Sequence, residues 1–307
     1  MMKGRHHQEL IEKARGLTPI RTAVVHPVDT VSLRGAIEAA KQRLIIPLLV
    51  GPEAKIRAVA TQAKLDLSDY ELVPTEHSHA AAAQAVVLAS DHKVEALMKG
   101  SLHTDEFMGA IVHEESLHTG RRMSHVFVID CPDYPRPLFV TDAALNIYPT
   151  LEDKVDIVQN AIELAHALGV PLPKVAILSA VETVTSKIKS TIDAAALCKM
   201  ADRRQITGGI LDGPLAFDNA VSAEAAKTKG IVSPVAGQAD IFVVPDLEAG
   251  NMLAKQLQYL AEAEIAGIVL GARVPIILTS RADTTQARLG SCAIALLLAR
   301  HQAESKT

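Results

Sequence analysis

Short apolar runs alternate with amphipathic stretches along almost the whole chain. In the amphipathic stretches, apolar residues recur at the three- and four-residue spacing of a helix, whereas the short runs are typical of buried strands. This alternation indicates βαβ units around a largely parallel sheet with flanking helices, so the predicted fold class is α/β. The predicted strands are residues 22–28, 44–50, 96–98, 125–129, 138–141, 175–178, 209–215, 241–244, 267–270 and 274–279.

Three segments carry the clearest helix signals. Residues 151–168 have an apolar stripe at helical spacing, and Thr150 precedes them as a capping residue. Gly169 follows them, which is typical of a helix end. Residues 251–264 and 286–300 are the other two predicted helices, and the wide apolar face of the last one indicates that it is buried.

Length and composition narrow the class of protein. A chain of 307 residues favours two lobes over a single core. With 49% apolar and 21% charged residues and a net charge of −4, it has no strongly basic surface for nucleic acid or an anionic membrane. We expect no signal peptide or membrane span. Its three widely spaced cysteines form no disulfide framework, so we expect a cytoplasmic protein.

Several catalytic motifs are absent from the sequence. It contains no GxGxxG dinucleotide fingerprint, no GxxxxGK[ST] phosphate loop and no GxSxG nucleophile elbow. His113 and His118 are five residues apart, which places them on different faces of a helix and argues against a zinc site. Cys198 and Cys292 lie in helical stretches, where a small buried residue is the usual role. We therefore predict no metal site.

The loop after the predicted strand 241–244 is the first candidate ligand site. In open parallel sheets, ligands bind beyond the carboxyl ends of the strands. There the sequence contains Asp246, then Gly250, which permits close backbone approach, and Asn251, a suitable N-cap for a helix. Lys255 lies one turn further on the same side, so the segment could bind an anion. An ordinary strand–loop–helix connection explains the same residues equally well.

A second candidate site follows the predicted strand 274–279. Ser280, Arg281 and Asp283 place a hydroxyl, a guanidinium and a carboxylate where a buried strand ends. The planar fork of Arg281 matches the geometry of phosphate. The alternative explanation is a helix cap beside a solvated arginine.

A third candidate follows the predicted strand 96–98. Lys99, Gly100, Ser101 and His103 combine a cation, a glycine and polar side chains, as phosphate-binding loops do. A solvated turn is the alternative.

Five segments of the chain together resemble the phosphate acetyltransferase and phosphate butyryltransferase family. They follow one another in the family order across almost the whole chain, and the third and fourth are the most specific. The resemblance is closest to the butyryltransferase-like branch. The segments are MKGSLHT at 98–104, RRMSHV at 121–126, DGPLAFDNAVS at 212–222, VVPDLEAGNMLAK at 243–255 and LTSRAD at 278–283.

This resemblance implies a two-lobed fold like that of isocitrate and isopropylmalate dehydrogenases, used without a nicotinamide. It also implies a homodimer. We expect residues 1–120 and 265–307 to form the first lobe and residues 121–264 the second, with the active site in the cleft between them.

The implied reaction is the reversible transfer of an acetyl or butyryl group from acyl-CoA to phosphate, giving acyl phosphate and CoA. Coenzyme A is then a substrate and product, and no permanently bound cofactor is expected. Arg281 is assigned to phosphate binding and Ser280 to hydrogen bonding at the reacting centre, while Asp283 either orients Arg281 or accepts a proton. The acetyltransferase branch carries an Asp where this chain has Gln286 and Ala287, so the identity of any base is open.

Two other functions stay open at this stage. A dehydrogenase of the same fold would need NAD(P) and a divalent metal. A catalytically inactive relative would bind CoA or acyl phosphate without turnover. The family carries an Arg after the HT motif, where this chain reads DEFM at 105–108, and this departure at Met108 and the one at Gln286 keep that alternative open.

Overall fold

A computed structural model describes residues 4–279 and 283–304. Helices and strands alternate along most of this length. The helices are α1 (Arg5–Arg15), α2 (Thr30–Lys41), α3 (Glu53–Ala63), α4 (Ser78–Ser90), α5 (Thr104–Val112), α6 (Leu151–Leu168), α7 (Lys189–Asp202), α8 (Phe217–Val221), α9 (Ala223–Thr228), α10 (Leu247–Leu260) and α11 (Thr285–Glu304). The strands are β1 (Ile20–Val25), β2 (Ile45–Gly51), β3 (Glu71–Pro74), β4 (Ala96–Lys99), β5 (Ser124–Asp130), β6 (Leu138–Thr141), β7 (Lys174–Leu178), β8 (Ile210–Leu215), β9 (Ile241–Val243), β10 (Glu264–Leu270) and β11 (Ile276–Ile277).

Contacts divide the described residues into two compact units. One unit, which we call the split unit, is formed by residues 7–121 together with those from 266 onward. The other, which we call the central unit, is formed by residues 4–6 and 122–265.

The strands of the split unit are ordered β3-β2-β1-β4-β11-β10. Neighbouring strands are parallel from β3 to β11, and β10 is antiparallel to β11. Since β4 and β11 are parallel neighbours, the residues that follow them leave the same edge of the sheet.

The strands of the central unit are ordered β5-β6-β9-β7-β8. The first pair, β5 and β6, is antiparallel, and the remaining neighbours are parallel. Strand β9 is buried along its whole length, as the apolar run predicts. The observed α/β architecture, a mostly parallel mixed sheet with flanking helices, agrees with the predicted fold class.

The helix predicted at 151–168 is confirmed with both of its ends. The Thr150 hydroxyl accepts a hydrogen bond from the Asp153 N–H, and the Asp153 carboxylate accepts one from the Thr150 N–H. These two reciprocal bonds form a capping box, which fixes the first turn. At the other end Gly169 adopts φ = 98°, a left-handed conformation that glycine tolerates without steric cost.

The helix predicted at 251–264 begins four residues earlier than expected, and Asn251 is not its N-cap. Asp246 caps α10, because its Oδ1 accepts a hydrogen bond from the Ala249 N–H at 2.9 Å. Asn251 therefore lies inside the helix. The free N–H groups predicted at position 251 lie instead at the start of the helix, just after Asp246.

Two further differences concern strands. Of the strand predicted at 274–279, only Ile276–Ile277 pairs as a strand. Edge strand β3 was not predicted, because its four residues include Glu71 and Pro74, which are both uncommon in strands. No helix among the described residues is long and apolar enough to span a membrane.

Candidate active site

Two of the candidate segments meet at the edge of the split unit where parallel strands end. The Thr279 hydroxyl, directly after β11, donates a hydrogen bond to the Lys99 carbonyl at the end of β4, at 3.2 Å. The Gly100 N–H donates to the carbonyl of Val25 and the Ser101 N–H to that of His26, both at 2.9 Å. The segments at 98–104 and 278–279 therefore lie side by side, next to the end of β1.

Lys99 is buried at this edge, with only 7% of its surface exposed. The neighbouring Ser101 hydroxyl bonds to the carboxylate of Asp29, the residue that caps α2. Burial acts to raise the pKa of Asp29, but hydrogen bonds from Ser32 and Ser101 outweigh it and hold that pKa below its usual value. Gly100 is thus flanked in the chain by the buried Lys99 and by Ser101, which bonds to Asp29. His103, by contrast, is exposed at the start of α5 and makes no capping hydrogen bond through its side chain.

Gly100 provides close packing in this site rather than an N–H group for a ligand. Its own N–H is used by Val25, and a Cβ atom at this position would lie 2.3 Å from the Val25 carbonyl oxygen. That distance is too short for any side chain, so only glycine lets β4 continue this close to β1.

We expect Gly100→Ala to lower the free energy of unfolding by about 1–3 kcal/mol, because backbone must move to relieve the contact. Urea unfolding of the two proteins measures this difference. Gly109→Ala is the matched control, since no atom lies within 4 Å of a Cβ there and alanine favours the α5 helix. A Gly100→Ala protein as stable as the parent would contradict the packing argument.

Two of the predicted catalytic residues, Ser280 and Arg281, lie outside the described residues. On one side of them Thr279 bonds to Lys99, and on the other side Asp283 is half-buried. Helix α11 then begins, and the Thr284 hydroxyl caps it by accepting a hydrogen bond from the Ala287 N–H at 3.1 Å.

The other candidate residues belong to the central unit. A Cβ atom on Gly250 would lie 2.7 Å from Val244 Cγ2 and 2.9 Å from Ala143 Cβ, so this glycine lets α10 pack closely on the end of β9 and on the chain after β6. The Asn251 side-chain amide donates to the Ala143 carbonyl at 3.2 Å. These two residues of the PDLEAGN segment therefore fix the position of α10, and Lys255 lies one turn further with its ammonium 3.1 Å from Gln258 Oε1.

Two cavities flank Pro245 in the central unit. The first has a volume of about 610 Å³, and the residues that line it include Tyr148, Lys189 and the predicted Asp246. The second has a volume of about 640 Å³ and a mostly apolar lining that includes Phe217. Of the predicted residues of this unit, Asp246 lines a cavity, whereas Gly250, Asn251 and Lys255 line neither of the two.

A buried carboxylate missed by the sequence analysis organises the same region. Asp142, directly after β6, is 3% exposed and accepts hydrogen bonds from the N–H groups of His125, Ala144, Leu145 and Asn146. It also accepts one from the Asn146 side chain at 2.6 Å. Three of these residues follow Asp142 within four positions, whereas His125 lies 17 residues before it, a contact that no local motif could have predicted.

His125, in the RRMSHV segment, is fully buried and packs edge to face on Phe127 with ring centroids 4.3 Å apart. Burial lowers the pKa of His125 to about 4, and the Asp142 carboxylate offsets only part of that effect. Its Nδ1 has no hydrogen-bond partner among the described residues. The imidazole is therefore neutral in the folded protein at neutral pH.

Because His125 is buried in its neutral form, we expect the free energy of unfolding to decrease in mild acid. Above pH 6.5, the ordinary pKa of histidine, the side chain is neutral in both folded and unfolded chains and has no effect. As the pH falls from 6.5 to about 4, the unfolded chain gains a proton that the folded one does not, which costs about 3 kcal/mol in total. Urea unfolding at several pH values should show a shallower acid slope for His125→Phe than for the parent or the exposed control His113→Gln.

The histidines and cysteines discussed in the sequence analysis lie in surroundings that suit a structural role rather than metal binding or catalysis. The ring nitrogens of His113 and His118 bond to the backbone carbonyls of Gly109 and Val112. Burial raises the pKa of the Cys198 and Cys292 thiols to about 12, which leaves them protonated and unreactive. The described residues contain no cluster of three or more potential metal ligands.

The comparisons with known proteins agree with the resemblance in the five segments. The family model "Phosphate acetyl/butaryl transferase" matches residues 76–296. A phosphate acetyltransferase of Rhizobium meliloti is 63% identical over 95% of this chain and 93% of its own length. A phosphate butyryltransferase of Clostridium acetobutylicum is 41% identical over 95% and 97% of the two chains.

A solved structure supports the same family. The branched-chain phosphotransacylase from Enterococcus faecalis V583 superposes with a TM-score of 0.80 at 29% identity, over 92% of this chain and 99% of its own. Of the two relatives above, the acetyltransferase is more similar in sequence than the butyryltransferase, whereas the motifs alone favoured the butyryltransferase-like branch. With more than two thirds of the chain matched by the family model and by these relatives, the protein belongs to the phosphate acetyl/butyryltransferase family.

Proposed function

We propose that the protein transfers a short acyl group, acetyl or butyryl, from acyl-CoA to inorganic phosphate in a reversible reaction. A phosphate oxygen attacks the thioester carbon, an oxyanion develops on the carbonyl oxygen, and the CoA thiolate leaves as acyl phosphate forms. The observation that carries the proposal is the Thr279–Lys99 hydrogen bond, since it fixes the residue before Ser280 at the end of β4, beside the buried Lys99.

The reaction depends more on the positioning of its two substrates than on a strong general acid. A thiol with a pKa near about 8.5 leaves readily as thiolate. The barrier lies in holding phosphate against the thioester carbon and in stabilising the oxyanion. Arg281 and Lys99 bind phosphate in this proposal, Ser280 donates a hydrogen bond at the reacting centre, and Asp283 orients Arg281 or accepts a proton.

The remaining candidate residues have subsidiary roles. Ser101 is tied to Asp29 and keeps the Lys99 segment in place. In the central unit Gly250 and Asn251 position α10, while Asp246 and Lys255 are candidate contacts for the coenzyme A substrate. His103 is exposed and is the weakest of these assignments. We propose that both units contribute residues to one active site.

The fold type, oligomeric state, location and cofactor use that the family resemblance implies are also proposals. They are a two-lobed fold of the isocitrate and isopropylmalate dehydrogenase type, a homodimer, a cytoplasmic location, and coenzyme A as substrate with no resident cofactor. The thioester is already activated for acyl transfer, which is why no cofactor chemistry is needed.

The test is a thiol-release assay over a series of acyl-CoA substrates, with and without phosphate. We expect CoA release that depends strictly on phosphate and is fastest with short acyl chains. Release without phosphate, or none at all, would refute the proposal. An NAD(P)-dependent, metal-dependent oxidation would support the dehydrogenase alternative, and ligand binding without turnover would support an inactive relative.

A further inference from the structure

His26, directly after β1, has an unusual backbone conformation for its place in the fold. Its φ of 55° is left-handed, a conformation that residues other than glycine rarely adopt. The other described non-glycine residues that share it each follow the last residue of a helix by one or two positions, where a left-handed residue commonly ends the helix. These residues are Arg43, Lys64, His92, Arg204 and Glu262. His26 differs from them because it follows a strand, so its conformation does not serve to end a helix.

Backbone hydrogen bonds to both neighbouring strands hold His26 in this conformation. Pro27 follows it, and a residue before proline prefers an extended backbone, so the left-handed conformation is strained. The His26 N–H donates to the Val50 carbonyl at 2.7 Å, and the His26 carbonyl accepts from the Ser101 N–H at 2.9 Å. Strain of this kind persists where the surroundings fix it, and it is found most often at functional sites.

Glycines on both sides make room for His26. The parallel pairing of β1 with β2 and with β4 places His26 between Gly51 and Gly100. A Cβ atom on Gly51 would lie 3.3 Å from His26 Cα, and one on Gly100 would lie 2.9 Å from the His26 carbonyl oxygen. Three neighbouring strand ends are therefore shaped around this residue, at the edge where open parallel sheets bind ligands.

The ring of His26 is fixed in one tautomer. Its Nδ1 lies 3.0 Å from the Ser101 carbonyl oxygen. Because a carbonyl only accepts hydrogen bonds, Nδ1 carries the hydrogen, and the free lone pair of the neutral ring is on Nε2. A half-buried imidazole with a fixed acceptor nitrogen is suited to take a proton from a ligand.

The same contacts attach the ring to the segment at 98–104 that the sequence predicts to bind phosphate. Ser101, in that segment, is bonded to His26 twice, once through its backbone N–H and once through its carbonyl. A phosphate held by this segment would therefore lie next to the imidazole.

We infer that His26 is the general base of the reaction and that its Nε2 accepts the proton of hydrogen phosphate. The inference rests on the proposed function and names a proton acceptor outside the five family-like segments. One phosphate oxygen forms the new bond to the thioester carbon, and the proton of the P–OH group passes to Nε2. The C–S bond then breaks and CoA leaves as thiolate. The imidazolium gives the proton to the sulfur, so hydrogen phosphate and acyl-CoA yield acyl phosphate and CoA with the ring neutral again.

The experiment measures kcat and KM for phosphate-dependent CoA release in the full-length parent and in His26→Asn. Asparagine tolerates a left-handed backbone, and its amide can donate to the Ser101 carbonyl as Nδ1 does, but it has no basic nitrogen. We expect kcat to fall by about 10²–10⁴-fold, with KM for phosphate and for acyl-CoA within about threefold of the parent.

The matched control is His92→Asn. His92 is an exposed histidine of the same unit with a left-handed φ of 58°, but it lies after helix α4 rather than at a strand end. We expect this variant to keep the parental kcat.

His26→Gly keeps the inference testable if His26→Asn does not fold, since glycine adopts a left-handed backbone without steric cost. We expect the same fall in kcat, and the unfolding temperature of each variant shows whether it is folded. A folded variant at position 26 with kcat within threefold of the parent would overturn the inference. A higher KM for phosphate at unchanged kcat would make His26 a binding residue and would also overturn its role as a base.

The parent enzyme separates this inference from the proposed function. If the parent shows no phosphate-dependent CoA release, the proposed function fails. If the parent releases CoA with phosphate and the folded His26→Asn protein does so at the parental kcat, the inference alone fails.

Discussion

Replacing Ser280 with alanine is expected to lower kcat for phosphate-dependent CoA release by about 10²–10³-fold. The hydroxyl is proposed to donate to the oxyanion that develops on the thioester carbonyl, and this bond is stronger in the transition state than in the bound substrate. The KM values for phosphate and acyl-CoA should therefore change by only a few-fold, because the substitution leaves the interactions made with the bound substrates in place.

Steady-state kinetics with a thiol reagent measures this effect. Thr285→Ala is the matched control, because it removes an exposed hydroxyl five residues further on, in the first turn of α11. We expect that control to keep the parental kcat. A Ser280→Ala protein with kcat within tenfold of the parent would remove Ser280 from the reacting centre and leave Arg281 and Lys99 as the proposed phosphate site without it.

The largest expected effect on stability is that of Asp193→Asn in the central unit. Lys154 is 4% exposed, and its ammonium lies 2.9 Å from Asp193 Oδ2, which also bonds to Lys189 at 2.7 Å. Asparagine leaves the buried Lys154 without a counter-charge, and breaking a buried pair in this way costs about 3–5 kcal/mol. Urea unfolding measures the difference.

Two comparisons test the cause of that loss. Asp202→Asn, at the other end of α7, breaks an exposed pair with Lys199 and should cost less than about 0.5 kcal/mol. The double variant Lys154→Met with Asp193→Leu removes both buried charges and should recover most of the stability. A single Asp193→Asn change no larger than that of Asp202→Asn would contradict the buried-pair argument.

The pH dependence of the same pair follows from its carboxylate. Burial acts to raise the pKa of Asp193, but hydrogen bonds from Lys154 and Lys189 outweigh it and leave the pKa below the ordinary aspartate value of 3.8. The stabilisation is therefore present above about pH 4 and is lost as the pH falls through the lower folded pKa. The difference in the free energy of unfolding between the parent and Asp193→Asn should therefore shrink as the pH falls below about 4.

Sequence patterns predicted those features of the fold that depend on neighbouring residues. The capping box of Thr150 and the C-terminal Gly169 fix α6, and both are visible within a few residues of the helix ends. The start of α10 was predicted four residues late because both Asp246 and Asn251 are good caps, and only the close packing of Gly250 on Ala143 requires the earlier start.

The candidate site was predictable in part for a related reason. Parallel strands end at a common edge, so Lys99 and Thr279 could be expected to lie close together although 180 residues separate them. Asp142 could not be found in this way. Its other donors follow it within four residues, but the His125 N–H comes from β5, 17 residues earlier, and only the fold brings the two together.

The split unit also has a consequence for the order in which the protein is made. Strand β11 pairs with β4 and with β10, and α11 packs on α2, so residues from 266 onward complete a sheet begun by residues 20–99. A ribosome releases the chain from the N-terminus at about 5–20 residues per second, and domains form as their residues emerge. The central unit can thus form on the ribosome while β1 to β4 wait for their last neighbours. We expect arrested nascent chains whose residues up to about 270 have left the exit tunnel to protect the central unit from protease and leave residues 20–99 open to cleavage, so the edge where β4 and β11 end is the last part of the molecule to be assembled.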